Sequence, residues 1–119
     1  MLQSILYGDR IIVRLSGELD HFCAQSVRRE LDKLIADRSV RWLILDFSHL
    51  QFMDSSGIGV ILGRYRQMRD RGGQVGVVHM NAHIARIFHM SGMDRVIRQL
   101  DRQEAAQGRT DTTKRKRAS

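Results

Sequence analysis

The sequence predicts one α/β domain, with a mostly parallel sheet of four or five strands, an antiparallel N-terminal strand and three or four covering helices. Three observations carry that prediction. Trp42-Leu43-Ile44-Leu45 is a continuously apolar run, the pattern of a strand buried on both faces. Segments with apolar residues at offsets of three and four flank it on both sides, which is the period of a helix. The connections are only a few residues long, so strand-helix-strand units must close as right-handed crossovers onto parallel neighbours. At 119 residues the chain suffices for one such domain, and 42% apolar residues can fill its core.

In chain order, residues Gln3 to Gly17 read as two short strands. Ile5 and Tyr7 alternate with polar or small neighbours, Gly8-Asp9 has the composition of a tight hairpin turn, and Val13 and Leu15 share one face of the second strand. Ser16 to Asp20 breaks the alternation. Asp20 is placed to cap a first helix, in which Ala24, Val27, Leu31, Leu34 and Ile35 form the stripe, ending near Asp37. The Trp42–Leu45 strand follows. A second helix is predicted from about Ser56 to Asp70, with Ile58, Ile61, Leu62, Tyr65 and Met68 inward and Arg64, Arg66, Gln67 and Arg69 outward. Gly72-Gly73 stops it. Val75 to Val78 is the next strand, and Asn81 caps a third helix whose buried side is Ile84, Ile87 and Phe88. Ser91-Gly92 ends that helix, and Val96-Ile97 fits a last strand or the start of another helix. The domain is expected to span residues 1–103. Residues 104–119 read as a basic, disordered tail.

Charge is unevenly spread. Arg109, Lys114, Arg115, Lys116 and Arg117 against Asp111 put +4 of the net +7 on residues 109–119, leaving +3 on the rest. That tail has no apolar periodicity to offset its ordering entropy. A Lys-Arg-Lys-Arg run can touch nucleic acid or acidic lipid, but such a run is more often a solvated segment, and no direct DNA binding is expected. No apolar run approaches the roughly 18 residues that cross a membrane, and the start has no signal-peptide pattern. A single cysteine, Cys23, makes no internal disulfide, which fits a cytoplasmic location.

The stretch from Phe52 to Tyr65 concentrates the polar chemistry. Asp54-Ser55-Ser56-Gly57 interrupts two apolar segments as a strand-to-helix turn, and Ser55 and Ser56 lie at the helix mouth. Enzyme readings of this knot fail one after another. Gly57-x-Gly59 is followed by Leu62 where a dinucleotide loop needs its third glycine, and no Gly-Lys-Ser/Thr closes a phosphate loop. Met53 and Asp54 precede the serine, unlike the Gly-x-Ser-x-Gly elbow. A serine nucleophile needs a histidine base, and His21, His49, His79, His83 and His89 have no spacing that brings any of them to Ser55. His79 and His83 are four apart but straddle a strand end and Asn81, and His83 and His89, six apart, would point away from each other on a helix, so no metal site is expected. Asp20 and Asp54 can pair as acids, or each can simply cap its helix. On residues alone a binding or regulatory module is only modestly favoured over an enzyme.

Leu15-Ser16-Gly17-Glu18-Leu19-Asp20-His21, Phe52 to Tyr65 and Met90-Ser91-Gly92, in that order and spacing, resemble the anti-anti-sigma factors, the bacterial members of the STAS domain family. The resemblance covers residues 5 to 98. It implies a non-enzymatic cytoplasmic switch that binds an anti-sigma factor, itself a serine kinase, and so releases a sigma factor. Its implied phosphorylation site is Ser55, with Asp20, His21, Asp54, Ser56, Gly57 and Ile58 beside it or in the partner surface. It further implies that phosphorylation switches binding off and that a serine phosphatase reverses it. The chain itself would need no cofactor, because ATP and magnesium come with the partner kinase. Within the family the Ser55-Ser56 pair and Gly63-Arg64-Tyr65 favour the sporulation sigma F pathway over the stress-response branch; a nucleotide- or small-ligand-binding module is the other alternative. The basic tail has no counterpart in the resemblance, and STAS domains of anion transporters follow membrane spans that this chain lacks.

Overall fold

A computed structural model describes residues 1–106 of the chain. Strand β1 (Leu2–Tyr7) turns through Gly8-Asp9 into β2 (Arg10–Leu19), and helix α1 (His21–Ile35) leads to β3 (Trp42–Met53). Helix α2 (Ser55–Asp70), strand β4 (Gln74–Val78) and helix α3 (Ala82–Met90) follow. A 3-10 turn at Met93–Arg95, a two-residue strand β5 (Arg98–Gln99) and a short helix α4 (Arg102–Ala106) complete the order. The sheet has five strands in the spatial order β1-β2-β3-β4-β5. Only β1 runs antiparallel to its neighbour; the other pairings are parallel.

The hairpin forms where the sequence placed it. Gly8 takes a φ of +65°, which an L side chain adopts at a steric cost, and Tyr7 pairs with Arg10 across the two-residue turn. Two strands run longer than their apolar patterns indicate. β2 continues through Ser16-Gly17-Glu18 to Leu19, and its pairing with β3 slips between Arg14 and Ser16 and again between Gly17 and Glu18. These irregularities let polar residues occupy a strand that still ends with Leu19 buried. β3 runs on from Leu45 to Met53, because Phe47, Leu50 and Met53 remain buried beyond the apolar run.

One face of the sheet packs Val13, Leu15, Leu43, Leu45, Phe47 and Val77 against Val27, Leu31, Ile61, Met68 and Phe88 of the helices. On the other face Ile44, Val78, Leu100 and Ala105 make a smaller cluster with Ile12 and Trp42. Ordered structure therefore continues into α4, past the boundary expected at 103. The basic tail of residues 109–119 lies outside the described residues.

The inward face of α2 is corrected by the structure. Ile61 and Met68 are buried as expected, while Ile58, Leu62 and Tyr65 are only partly so. The buried set is Gly57, Val60, Ile61, Arg64 and Met68. Arg64, expected outward, lies under the α1–α2 contact, where its Nε stands 3.2 Å from Asp32 Oδ1. Its long stem packs as an apolar side chain while the guanidinium keeps an acidic partner.

Candidate functional site

β2 and β3 are parallel neighbours, and their last residues, Leu19 and Met53, lie side by side. Each strand passes into a helix through one aspartate. Asp20 and Asp54 therefore take the same position and almost the same backbone, with φ −109° at both and ψ of −176° and −171°. Each side chain caps the helix that follows it. Asp20 Oδ1 accepts from the amides of Phe22 at 3.1 Å and Cys23 at 3.2 Å. Asp54 Oδ1 accepts from those of Ser56 at 2.9 Å and Gly57 at 3.2 Å.

Asp54 does more than its counterpart. Its second oxygen, Oδ2, accepts from the His21 amide at 3.2 Å, and its own amide donates to the Leu19 carbonyl at 3.3 Å. One carboxylate thus ties the N-termini of α1 and α2 together. Both helices direct the positive ends of their dipoles at the same spot, where anionic groups are favoured.

Gly57 makes this closeness possible. A Cβ there would stand 2.4 Å from the Leu19 carbonyl oxygen and within 3 Å of the Leu19 and Met53 side chains. Leu19 and Met53 are themselves buried, so nothing there can yield cheaply.

Ser55 is the first residue of α2 and is exposed; Ser56, next to it, is half-buried. The cap of α2 is therefore Asp54, and the Ser55 hydroxyl stands clear of that duty. The sequence left open whether Asp54 pairs with Asp20 or caps its own helix. The structure places Asp54 on two amides of the helix mouth, so an anion at Ser55 meets a carboxylate already in residence.

Of the residues expected at the site, Asp20, His21, Asp54, Ser55 and Ser56 converge at the C-terminal ends of β2 and β3. Gly57 is buried and positions α2, and Ile58 is partly packed into the core. The histidines scatter. His49 meets Ser48 at 3.0 Å, His89 meets Asp94 at 2.9 Å, and His83 stacks on Phe52 with ring centroids 6.3 Å apart. No cluster of three or more His, Cys, Asp or Glu suited to a metal occurs among the described residues. Desolvation, followed by the Asp20 carboxylate, pushes the Cys23 thiol above its ordinary value, which disfavours a thiolate nucleophile beside the site.

Two aromatic side chains at this end were not among the expected site residues. Phe22 is 82% exposed, one residue into α1, with its ring 4.0 Å from that of His21. Phe52 is 39% exposed at the end of β3. A large apolar side chain left in water beside a polar knot is a feature of contact surfaces. The signal for Phe22 was present, since it falls outside the Ala24-Val27-Leu31 stripe. A shallow groove of about 260 Å³ along α1 is lined by His21, Ala24, Gln25, Arg28 and Val60.

The STAS domain family model matches residues 3–106. An anti-sigma F factor antagonist of Paenibacillus polymyxa is 45% identical over 87 residues, covering 73% of this chain and 74% of that protein. An anti-sigma-B factor antagonist of Listeria monocytogenes is 26% identical, covering 75% and 77%. Among solved structures, the anti-sigma factor antagonist SpoIIAA is similar in its unphosphorylated form (28% identity, TM-score 0.69, covering 87% of this chain and 91% of that one). Its phosphorylated form, described for the Bacillus protein, is equally so (29%, 0.69, covering 88% and 96%). The chain belongs to the STAS domain family.

Proposed function

We propose that this STAS-domain chain is an anti-sigma factor antagonist whose binding to an anti-sigma serine kinase is switched off by phosphorylation of Ser55. The observation that carries the reading is the position of Ser55: an exposed hydroxyl on the first residue of α2, at the meeting point of two helix N-termini. A kinase can reach it without unfolding the domain. The chain contributes the acceptor hydroxyl, and the partner contributes ATP and magnesium.

A phosphoryl group there adds about −1.5 to −2 charges and three acceptor oxygens. The paired helix dipoles temper that charge, so the fold tolerates it. A partner seated over Phe22, Asp54 and Ser55 meets it differently. The phosphate adds to the Asp54 and Asp20 carboxylates, and a partner surface fitted to the neutral serine must desolvate it or be repelled. No backbone movement is required. The equal similarity of this chain to the phosphorylated and unphosphorylated forms of SpoIIAA supports such a switch.

The greater identity to an anti-sigma F antagonist than to an anti-sigma-B antagonist supports the sporulation pathway over the stress response. A serine phosphatase completes the cycle, and the setting is the cytoplasm; no helix of the described residues is long and apolar enough to cross a membrane. For a nucleotide-binding module, the groove of about 260 Å³ beside α1 falls short of the ~300–1,000 Å³ usual for ligand pockets.

The test is incubation with the cognate anti-sigma kinase and ATP, followed by mass spectrometric mapping. Label is expected on Ser55 and lost in Ser55→Ala. Label elsewhere, or none, overturns the assignment, and saturable heat with purine nucleotides alone would favour the ligand-binding module instead.

A further inference from the structure

We propose that two copies of this chain pair through the outer edge of β1, which no strand covers among the described residues, joining their sheets across a two-fold axis. β1 lies at one end of the sheet, and five of its six residues are exposed. Ile5, Leu6 and Tyr7 are 61%, 59% and 53% exposed. Sheet edges are ordinarily guarded by a charged side chain, a proline or a bulge. β1 has none of these, in a chain with 20 Lys and Arg and 13 Asp and Glu. No charge on β1 itself therefore opposes a second copy, and the nearest cations across the hairpin are Arg14 opposite Gln3 and Arg10 opposite Tyr7.

The backbone fixes the register. Ser16 donates to the Met1 carbonyl at 2.8 Å, and continuing the Leu2–Leu15 pairing by one residue sets Met1 opposite Ser16. Bonded and non-bonded pairs alternate along an antiparallel ladder. Gln3, Ile5 and Tyr7 thus direct their amides and carbonyls at β2, while those of Leu2, Ser4 and Leu6 point away from the sheet. A two-fold axis through Ser4 sets Ser4 against Ser4 of the second copy, Leu2 against its Leu6, and Leu6 against its Leu2. Every outward amide and carbonyl of the strand then finds a partner. Leucine meets leucine on one face, and Gln3 meets Ile5 on the other. An axis through Ile5 would instead leave the Leu2 groups opposite the Gly8 turn. The pattern is self-complementary, which is why the occupant is a second copy and not an unrelated strand.

Sedimentation velocity over a concentration series tests this on the full chain. The mass should rise from 13.7 kDa towards twice that value. Ser4→Lys sets two ammonium groups face to face on the axis and should return the protein to monomer with its circular dichroism unchanged, because Ser4 is exposed. Mixing Ser4→Lys with Ser4→Glu should restore a heterodimer. In a Cys23→Ser background, Ser4→Cys should oxidise to a disulfide dimer more readily than Ile5→Cys, since directly opposed Cα atoms about 5.5 Å apart suit that bond. A monomer at every concentration up to the millimolar range overturns the proposal. So does a dimer that survives Ser4→Lys, or equal cross-linking at positions 4 and 5.

Discussion

The two N-cap aspartates offer an internally controlled test of how the site is held together. Asp20 bonds only within its own helix, whereas Asp54 also accepts from the first amide of α1. Truncating an N-cap to alanine costs about 1 kcal/mol. A hydrogen bond to a charged acceptor is worth roughly 1.5–3 kcal/mol, and partial exposure argues for the lower end. Asp20→Ala should therefore cost about 1 kcal/mol and Asp54→Ala about 2.5 kcal/mol, or roughly 4 °C against 10 °C in melting temperature for a domain of this size. Asp54→Asn should fall between the wild type and Asp54→Ala. Its amide oxygen can still cap Ser56 and Gly57, but its NH2 then faces the His21 amide, donor against donor. Urea denaturation followed by circular dichroism measures all three variants. Equal losses at Asp20 and Asp54 would refute the bridging role of Asp54.

Gly57→Ala should destabilise by about 2 kcal/mol, because its Cβ meets the Leu19 backbone. Gly59→Ala on the open side of the same helix should stabilise by roughly 0.5–1 kcal/mol, and thermal melts of the pair would show opposite signs. Asp46 is buried, which by itself raises its pKa, yet the Ser48 amide and hydroxyl, His79 and Arg14 together hold it below its ordinary 3.8. A depressed carboxylate contributes stability above its unfolded value and loses it as pH falls through the folded one, so melting temperature should drop below about pH 4, and less steeply in Asp46→Asn.

Most of the site was legible because its determinants are local. A cap is a matter of one oxygen and the next three amides, so Asp20 and Asn81 could be placed from spacing alone and cap as expected; Asp54 was left between pairing with Asp20 and capping, and the structure shows the cap. The hairpin was equally local. What the sequence hid depends on tertiary contact. Arg64 reads as outward because arginine usually is, and only the nearness of α1 and the carboxylate of Asp32 make its burial tolerable. The length of β2 was hidden by register slips that take up Ser16-Gly17-Glu18. Nothing in the residue order announces that Asp54 reaches His21, since that bond exists only because β2 and β3 end side by side. The exposed phenyl ring of Phe22 was legible in principle, as an apolar residue off the stripe of its own helix.

The central claim is that one phosphoryl group on Ser55 abolishes partner binding without rebuilding the fold. Isothermal titration of the anti-sigma kinase with unmodified and Ser55-phosphorylated protein tests it most directly, alongside amide NMR spectra of the two forms. Loss of about 3 kcal/mol, a more than hundredfold weaker complex, is predicted, with shifted resonances confined to the first turns of α1 and α2 and the ends of β2 and β3. Affinities within threefold of each other would contradict the account, and so would weakened binding accompanied by resonance changes throughout the sheet.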